Sequence, residues 1–154
     1  MNIRKPIIII TSTFFYVGFL PLIPGTFGSI AGLILFYLVR ESVFYPLFTL
    51  LVIILGFMVS GEAERLLNRK DARCIVIDEV SGMLLSLLFI PYDIKLVIIA
   101  FLVFRLLDAL KPFPAARLEK LKGTIGIMSD DIVAGLYTNI ILQVVLRLAS
   151  FKTS

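Results

Sequence analysis

The sequence predicts an all-α, polytopic membrane bundle of about four to six hydrophobic helices, and three observations predict it. Hydrophobic residues make up 59% of the 154 and charged residues only 17%, against about 45–50% and 25% in soluble domains. Mean hydropathy is +1.02, and a core of this size leaves too much surface exposed to hide so much apolar material from water. The apolar residues also fall into separate runs, with the charges gathered in short loops between them. A bilayer is the natural solvent for that pattern. The length suits one domain over residues 1–154, without repeats or linkers.

The first run, 7–23, is interrupted by Pro21 and followed by Pro24 and Gly25. Proline breaks helix hydrogen bonding, so this run is a candidate re-entrant or interfacial helix rather than a true span. Arg4 and Lys5 before it look leader-like, but no small-residue cleavage site follows, so a cleaved signal is not expected. The later runs are 27–39, 45–59, 75–90, 94–110 and 132–148. Several are shorter than the ~20 residues that cross a hydrocarbon core, which is accommodated by bilayer thinning or helical extension.

Basic residues set the orientation. Arg65, Arg69, Lys70 and Arg73 separate the third and fourth runs, and Lys111, Arg117, Lys120 and Lys122 separate the fifth and sixth. The opposite connections hold Arg40 and Lys95. The positive-inside rule then makes the two basic loops cytoplasmic. The net charge of +4 is read as retention at that face and attraction for an anionic phospholipid, with no nucleic-acid partner expected. On this topology Asp78 and Glu79 open the fourth helix, Asp108 closes the fifth, and Asp130 and Asp131 open the sixth, all at one face. Glu62 and Glu64 read as a solvated helix end, and Glu41 and Asp93 fall at the other face.

Carboxylates in an apolar protein are costly and mark function. Capping alone would explain one acid at the head of the fourth helix, but the apolar run begins before Asp78. Arg105, Asp108 and Lys111 are spaced three apart, so they are expected on one helix face. That spacing serves either a local ion-pair ladder or a metal-binding Asp108 flanked by phosphate-holding Arg105 and Lys111. Adjacent acids on a helix point about 100° apart, so of Asp130 and Asp131 one is expected to cap the helix and the other to face a site. In the Pro24-Gly25-Thr26-Phe27-Gly28-Ser29 stretch, a helix start with the Thr26 and Ser29 hydroxyls offers an anion seat. Its alternative is a packing surface made by Gly28 and Gly32.

The chain has no histidine and a single cysteine, Cys74. A phosphohistidine or histidine base is therefore excluded. The residues after Cys74 (Ile75, Val76, Ile77, Asp78 and Glu79) make no anion cradle for a cysteine nucleophile. Any metal must be hard and held by oxygen.

Taken together, Pro24 to Ser29, Ile75 to Gly82, Phe104 to Pro114 and Gly123 to Gly135 resemble the phosphatidylglycerophosphatase A family, in the family's order. The Arg105-x-x-Asp108-x-x-Lys111-Pro112 block followed by Gly126-Ile127-Met128-x-Asp130-Asp131 is the most specific part. The resemblance implies a bacterial inner-membrane enzyme that removes the terminal phosphate of phosphatidylglycerophosphate with Mg²⁺. Asp78, Glu79, Asp108, Asp130 and Asp131 would be its metal and catalytic residues, and Thr26, Ser29, Arg105 and Lys111 its phosphate-binding ones. The family commonly pairs glycines where this chain has Gly123-Thr124. If the second position needs a positive φ, Thr124 would strain the loop. Three other readings are weighed. Hydrolysis of another lipid phosphate such as phosphatidic acid shares the same site. A CDP-lipid phosphotransferase would need aspartates and a Gly-Ala-Arg element that the 131–135 stretch lacks. An ion-coupled carrier would need ionisable residues at several depths.

Overall fold

The structure is a computed structural model that describes residues 4–69 and 72–152. Lys70, counted among the orienting basic residues, lies outside the described residues. Seven α-helices and no strand occur among those described: α1 Arg4–Ser12, α2 Pro24–Val39, α3 Tyr45–Leu66, α4 Ile77–Ser86, α5 Ile94–Leu110, α6 Ala115–Leu118 and α7 Thr124–Lys152.

The chain is a helical membrane protein. Helices α3 and α7 are long and apolar enough to cross a bilayer, extending ~33 and ~44 Å at 1.5 Å per residue. Helices α2 and α5, at 16 and 17 residues, reach only ~24–26 Å, short of a hydrocarbon core about 30 Å thick. Their outward faces are apolar: Ile34 and Leu38 on α2, Leu47, Leu51 and Met58 on α3, Leu102 and Leu106 on α5, and Ile140, Val144 and Leu148 on α7 are all exposed. Lipid, not water, is the solvent such a perimeter matches.

Helix α4 has only ten residues and forms the axis of the bundle, with α2, α3, α5 and α7 packed round it. Val80, Ser81, Met83, Leu84 and Leu87 along it are inaccessible to solvent. A helix that ends inside a bilayer leaves carbonyls needing donors, and neighbouring helices supply them. Asn139 Nδ2 on α7 donates to the Ser86 and Leu88 carbonyls at 3.1 and 2.7 Å, and the Tyr45 hydroxyl donates to the Leu84 carbonyl at 2.6 Å.

Close backbone approach sets the α4–α7 spacing. A Cβ built on Gly135 would stand 2.6 Å from the Gly82 carbonyl oxygen, and one on Gly82 would stand 2.7 Å from the Asp131 carbonyl oxygen. Both obstacles are backbone and cannot swing aside. Gly135→Ala is therefore expected to lower stability by about 1–3 kcal/mol, measured as a lower midpoint of thermal or denaturant unfolding in detergent. On α2, Gly28 and Gly32 face Val76 and Met83 in the same way, as the packing alternative foresaw.

The first apolar run does not form one continuous helix. Helix α1 spans nine residues, and both its ends are tied to the same end of the bundle. Arg4 pairs with Glu62 at the C-terminal end of α3 at 3.0 Å, while the Ser12 carbonyl accepts from Val76 N–H, just before α4, at 3.0 Å. The chain then turns through a 3₁₀ segment at Val17–Phe19 and starts α2 at the same end. The break falls at Thr13, earlier than Pro21.

Candidate metal and phosphate site

The acids of distant segments meet where α4 begins, α5 ends and α7 is one to two turns old. The segment before α4 is held under α1 by the Val76–Ser12 bond, so Asp78 and Glu79 enter the bundle directly. Asp78 is buried, and its Oδ1 accepts from the Glu79 backbone N–H at 3.0 Å. Single carboxylate oxygens of Asp78, Glu79 and Asp131 lie within 4.8 Å of one another, and so do those of Asp108, Asp130 and Asp131. Asp131 belongs to both triads.

Two expectations about α7 need correcting. The helix starts at Thr124, not beside the acids, so Asp130 and Asp131 sit inside it and neither caps it. They do diverge: Asp130 accepts from Lys111, while Asp131 joins both acid triads. The positive φ of the preceding turn, +68°, falls on Gly123. Thr124 is helical, and its hydroxyl accepts from the Gly61 N–H of α3 at 3.0 Å. It is a tie between helices, with no loop strain.

The shared face proposed for Arg105, Asp108 and Lys111 holds only in part. Arg105 Nη1 pairs with Asp108 Oδ2 at 2.6 Å across one turn. Lys111 lies beyond the helix in the left-handed region, φ 48°, with its N–H closing the last turn on Leu107. That twist sends its ammonium across to α7, where it donates to Asp130 at 2.8 Å and to Glu119 at 2.5 Å. Burial opposes its charge, but these two bonds hold its pKa above the ordinary lysine value, so it is a fixed cation at any physiological pH.

A cavity of about 110 Å³ is lined by all five predicted acids together with Lys111, Glu64 and Glu119. Glu119 and Glu64 were not expected there. Glu119 carries no spacing signal, because the Pro112–Pro114 turn and α6 bring it back. Glu64 read as a solvated helix end because the sequence beside Arg65 does not say which face of α3 borders the acids. Thr26 and Ser29 do not line this cavity; the Ser29 hydroxyl donates within α2 to the Gly25 carbonyl at 3.0 Å. Burial raises the pKa of Cys74, which keeps it a thiol.

The donor set suits a divalent cation. Glu79 Oε2, Asp130 Oδ1 and Asp131 Oδ1 are buried without a hydrogen-bond partner among the described residues. Carboxylates crowded at this spacing in an apolar surround repel one another and have lost their hydration. Two nearby cations, Lys111 and Arg105, do not balance them. Oxygen-only ligands at such separations match Mg²⁺, Mn²⁺ or Ca²⁺.

Comparison with known proteins agrees with this picture. The family model for phosphatidylglycerophosphatase A matches residues 10–146. A Bacteroides thetaiotaomicron protein described provisionally as a phosphatidylinositol-3-phosphatase is 32% identical over 145 residues, covering 88% of this chain and 91% of that one. Phosphatidylglycerophosphatase A of Escherichia coli K12 is 36% identical over 122 residues, covering 77% and 71%. The Haemophilus influenzae enzyme of the same name is 36% identical over 124 residues, covering 77% and 76%. No solved structure matches. The chain belongs to the phosphatidylglycerophosphatase A family.

Proposed function

We propose that this protein hydrolyses the terminal phosphomonoester of phosphatidylglycerophosphate to give phosphatidylglycerol, using Mg²⁺ at the acid cluster. The observation that carries the proposal is the pair of carboxylate triads sharing Asp131, with unpartnered buried oxygens, in a cavity that also holds Lys111. Asp78, Glu79, Asp108, Asp130 and Asp131 would hold one or two ions. When bound, Mg²⁺ supplies charge neutralisation of the phosphoryl oxygens and makes water easier to deprotonate.

The chain's own residues do the rest. Lys111, locked by Asp130 and Glu119, presents a fixed positive charge to the departing phosphate. Arg105 lines a neighbouring cleft rather than this cavity, and by pairing with Asp108 it holds that carboxylate in place at the cluster. With no histidine in the chain, the proton of the attacking water would pass to whichever carboxylate of the cavity is not holding an ion. The lipid's acyl chains stay beside the apolar perimeter while the headgroup reaches in. The basic residues flanking the cluster (Arg65, Arg69, Arg73, Arg117, Lys120 and Lys122) support a cytoplasmic site in a bacterial inner membrane.

The Bacteroides relative's description supports a second reading, a monoester on a different lipid headgroup. The carrier alternative is disfavoured because the acids crowd one end and the rest of α4 is apolar or small. Purified protein in mixed micelles should release phosphate fastest from phosphatidylglycerophosphate, compared with phosphatidic acid and phosphatidylinositol 3-phosphate, and EDTA should stop release. Faster release from either competitor would replace the substrate assignment, and ion flux without any phosphate release would replace the enzyme.

A further inference from the structure

A second cleft, of about 260 Å³, lies against the same acids. Asp78 and Glu79 line both cavities, so these side chains form a wall between them. The second cleft is otherwise bounded by Arg73 from the loop before α4, Arg105 from α5, and Ile23 and Gly25 at the start of α2. Its character differs from the first: it holds two guanidinium groups and no lysine. Ile23 in its lining is apolar and exposed, as are Leu20 and Leu22 just before it in the chain, a surround that suits the approach of a lipid headgroup. Gly25 leaves room at this cleft, because a Cβ there would meet the Glu79 carboxylate and stand 3.5 Å from Arg105 Nη1.

We infer that this cleft binds the internal phosphodiester of a lipid headgroup carrying two phosphates, with Arg73 as the residue that selects for it. This rests on the proposed function. A headgroup with a phosphodiester next to the glyceride and a phosphomonoester at its far end has two anionic centres separated by a short polyol. The two cavities, which share Asp78 and Glu79 as lining, offer two centres side by side. Planar guanidinium groups suit a diester's two free oxygens, which accept two parallel N–H bonds. Arg105 has five donors, so its pairing with Asp108 does not exhaust it. A lipid with a single phosphate fills one centre and forfeits the other, which makes Arg73 a specificity-determining residue rather than a catalytic one.

The test uses the full chain in mixed micelles and two inhibitors that divide the headgroup between them. Phosphatidylglycerol carries only the diester; inorganic phosphate stands for the monoester. In Arg73→Gln the inhibition constant for phosphatidylglycerol should rise about tenfold, the loss of one charge-assisted contact, while that for inorganic phosphate stays within about twofold. Arg73→Lys should recover part of the loss. Equal shifts for both inhibitors, or none for phosphatidylglycerol, would overturn the assignment while leaving the phosphatase reading intact. No phosphate release by the unmodified protein would instead defeat the phosphatase reading and this inference with it.

Discussion

Asp131→Asn is expected to lower kcat/KM for phosphatidylglycerophosphate by about 10³-fold or more while leaving the helix content unchanged. Asp131 is the one side chain shared by both acid triads, so its loss damages every arrangement of one or two cations the site can hold. Asn keeps the shape and one carbonyl oxygen but removes the charge. It also relieves repulsion among the acids, so thermal stability in metal-free buffer should hold or rise. A loss of activity with a stable fold is therefore the signature. The contrast is Asp93→Asn at the far end of the bundle, where the amide oxygen can still cap α5 by accepting from the Lys95 and Leu96 N–H groups, and which should leave activity unchanged. Phosphate release and circular dichroism on the same preparations check both halves.

Lys111→Met is the second large effect. The ammonium, just past the end of α5, donates to both Asp130 and Glu119 and is the positive partner they share. Met preserves length and apolar stem but leaves Asp130 buried beside other acids. Activity should fall by about 10²-fold, mainly in kcat, because a fixed cation contributes most where negative charge grows in the transition state. Lys111→Arg should recover little, since a planar fork cannot occupy a point between two carboxylates as a compact ammonium does. A rise in KM with kcat unchanged would instead make Lys111 a ground-state binding residue.

Much of this architecture was visible in the sequence, for identifiable reasons. Apolar runs and basic loops are one-dimensional signals, so five hydrophobic helices and the gathering of the charged clusters at one end could be read directly. Asp78, Glu79, Asp108, Asp130 and Asp131 stood out because a charge amid aliphatic residues needs a reason. What escaped depended on three-dimensional turns. The left-handed twist at Lys111 took it off the helix face that a spacing of three implied. The length of α7 hid inside a glycine-containing stretch that read as loop, so Asp130 and Asp131 looked like helix openers. Glu119 entered the site through a proline turn, with no periodicity to announce it. Helix α4 read as an apolar run over 75–90 and is shorter still, Ile77–Ser86, because hydropathy cannot report that Asn139 and Tyr45 satisfy the carbonyls of a helix that stops early.

The central claim is that acids from three helices grip a shared divalent cation, and Mn²⁺ binding to the purified chain in nanodiscs, followed by electron paramagnetic resonance, tests it most directly. The unmodified protein should take up Mn²⁺ with displacement by Mg²⁺, and Asp131→Asn should bind at least about tenfold more weakly. Equal Mn²⁺ binding by the two proteins, or phosphate release by a protein that binds no divalent cation, would contradict it.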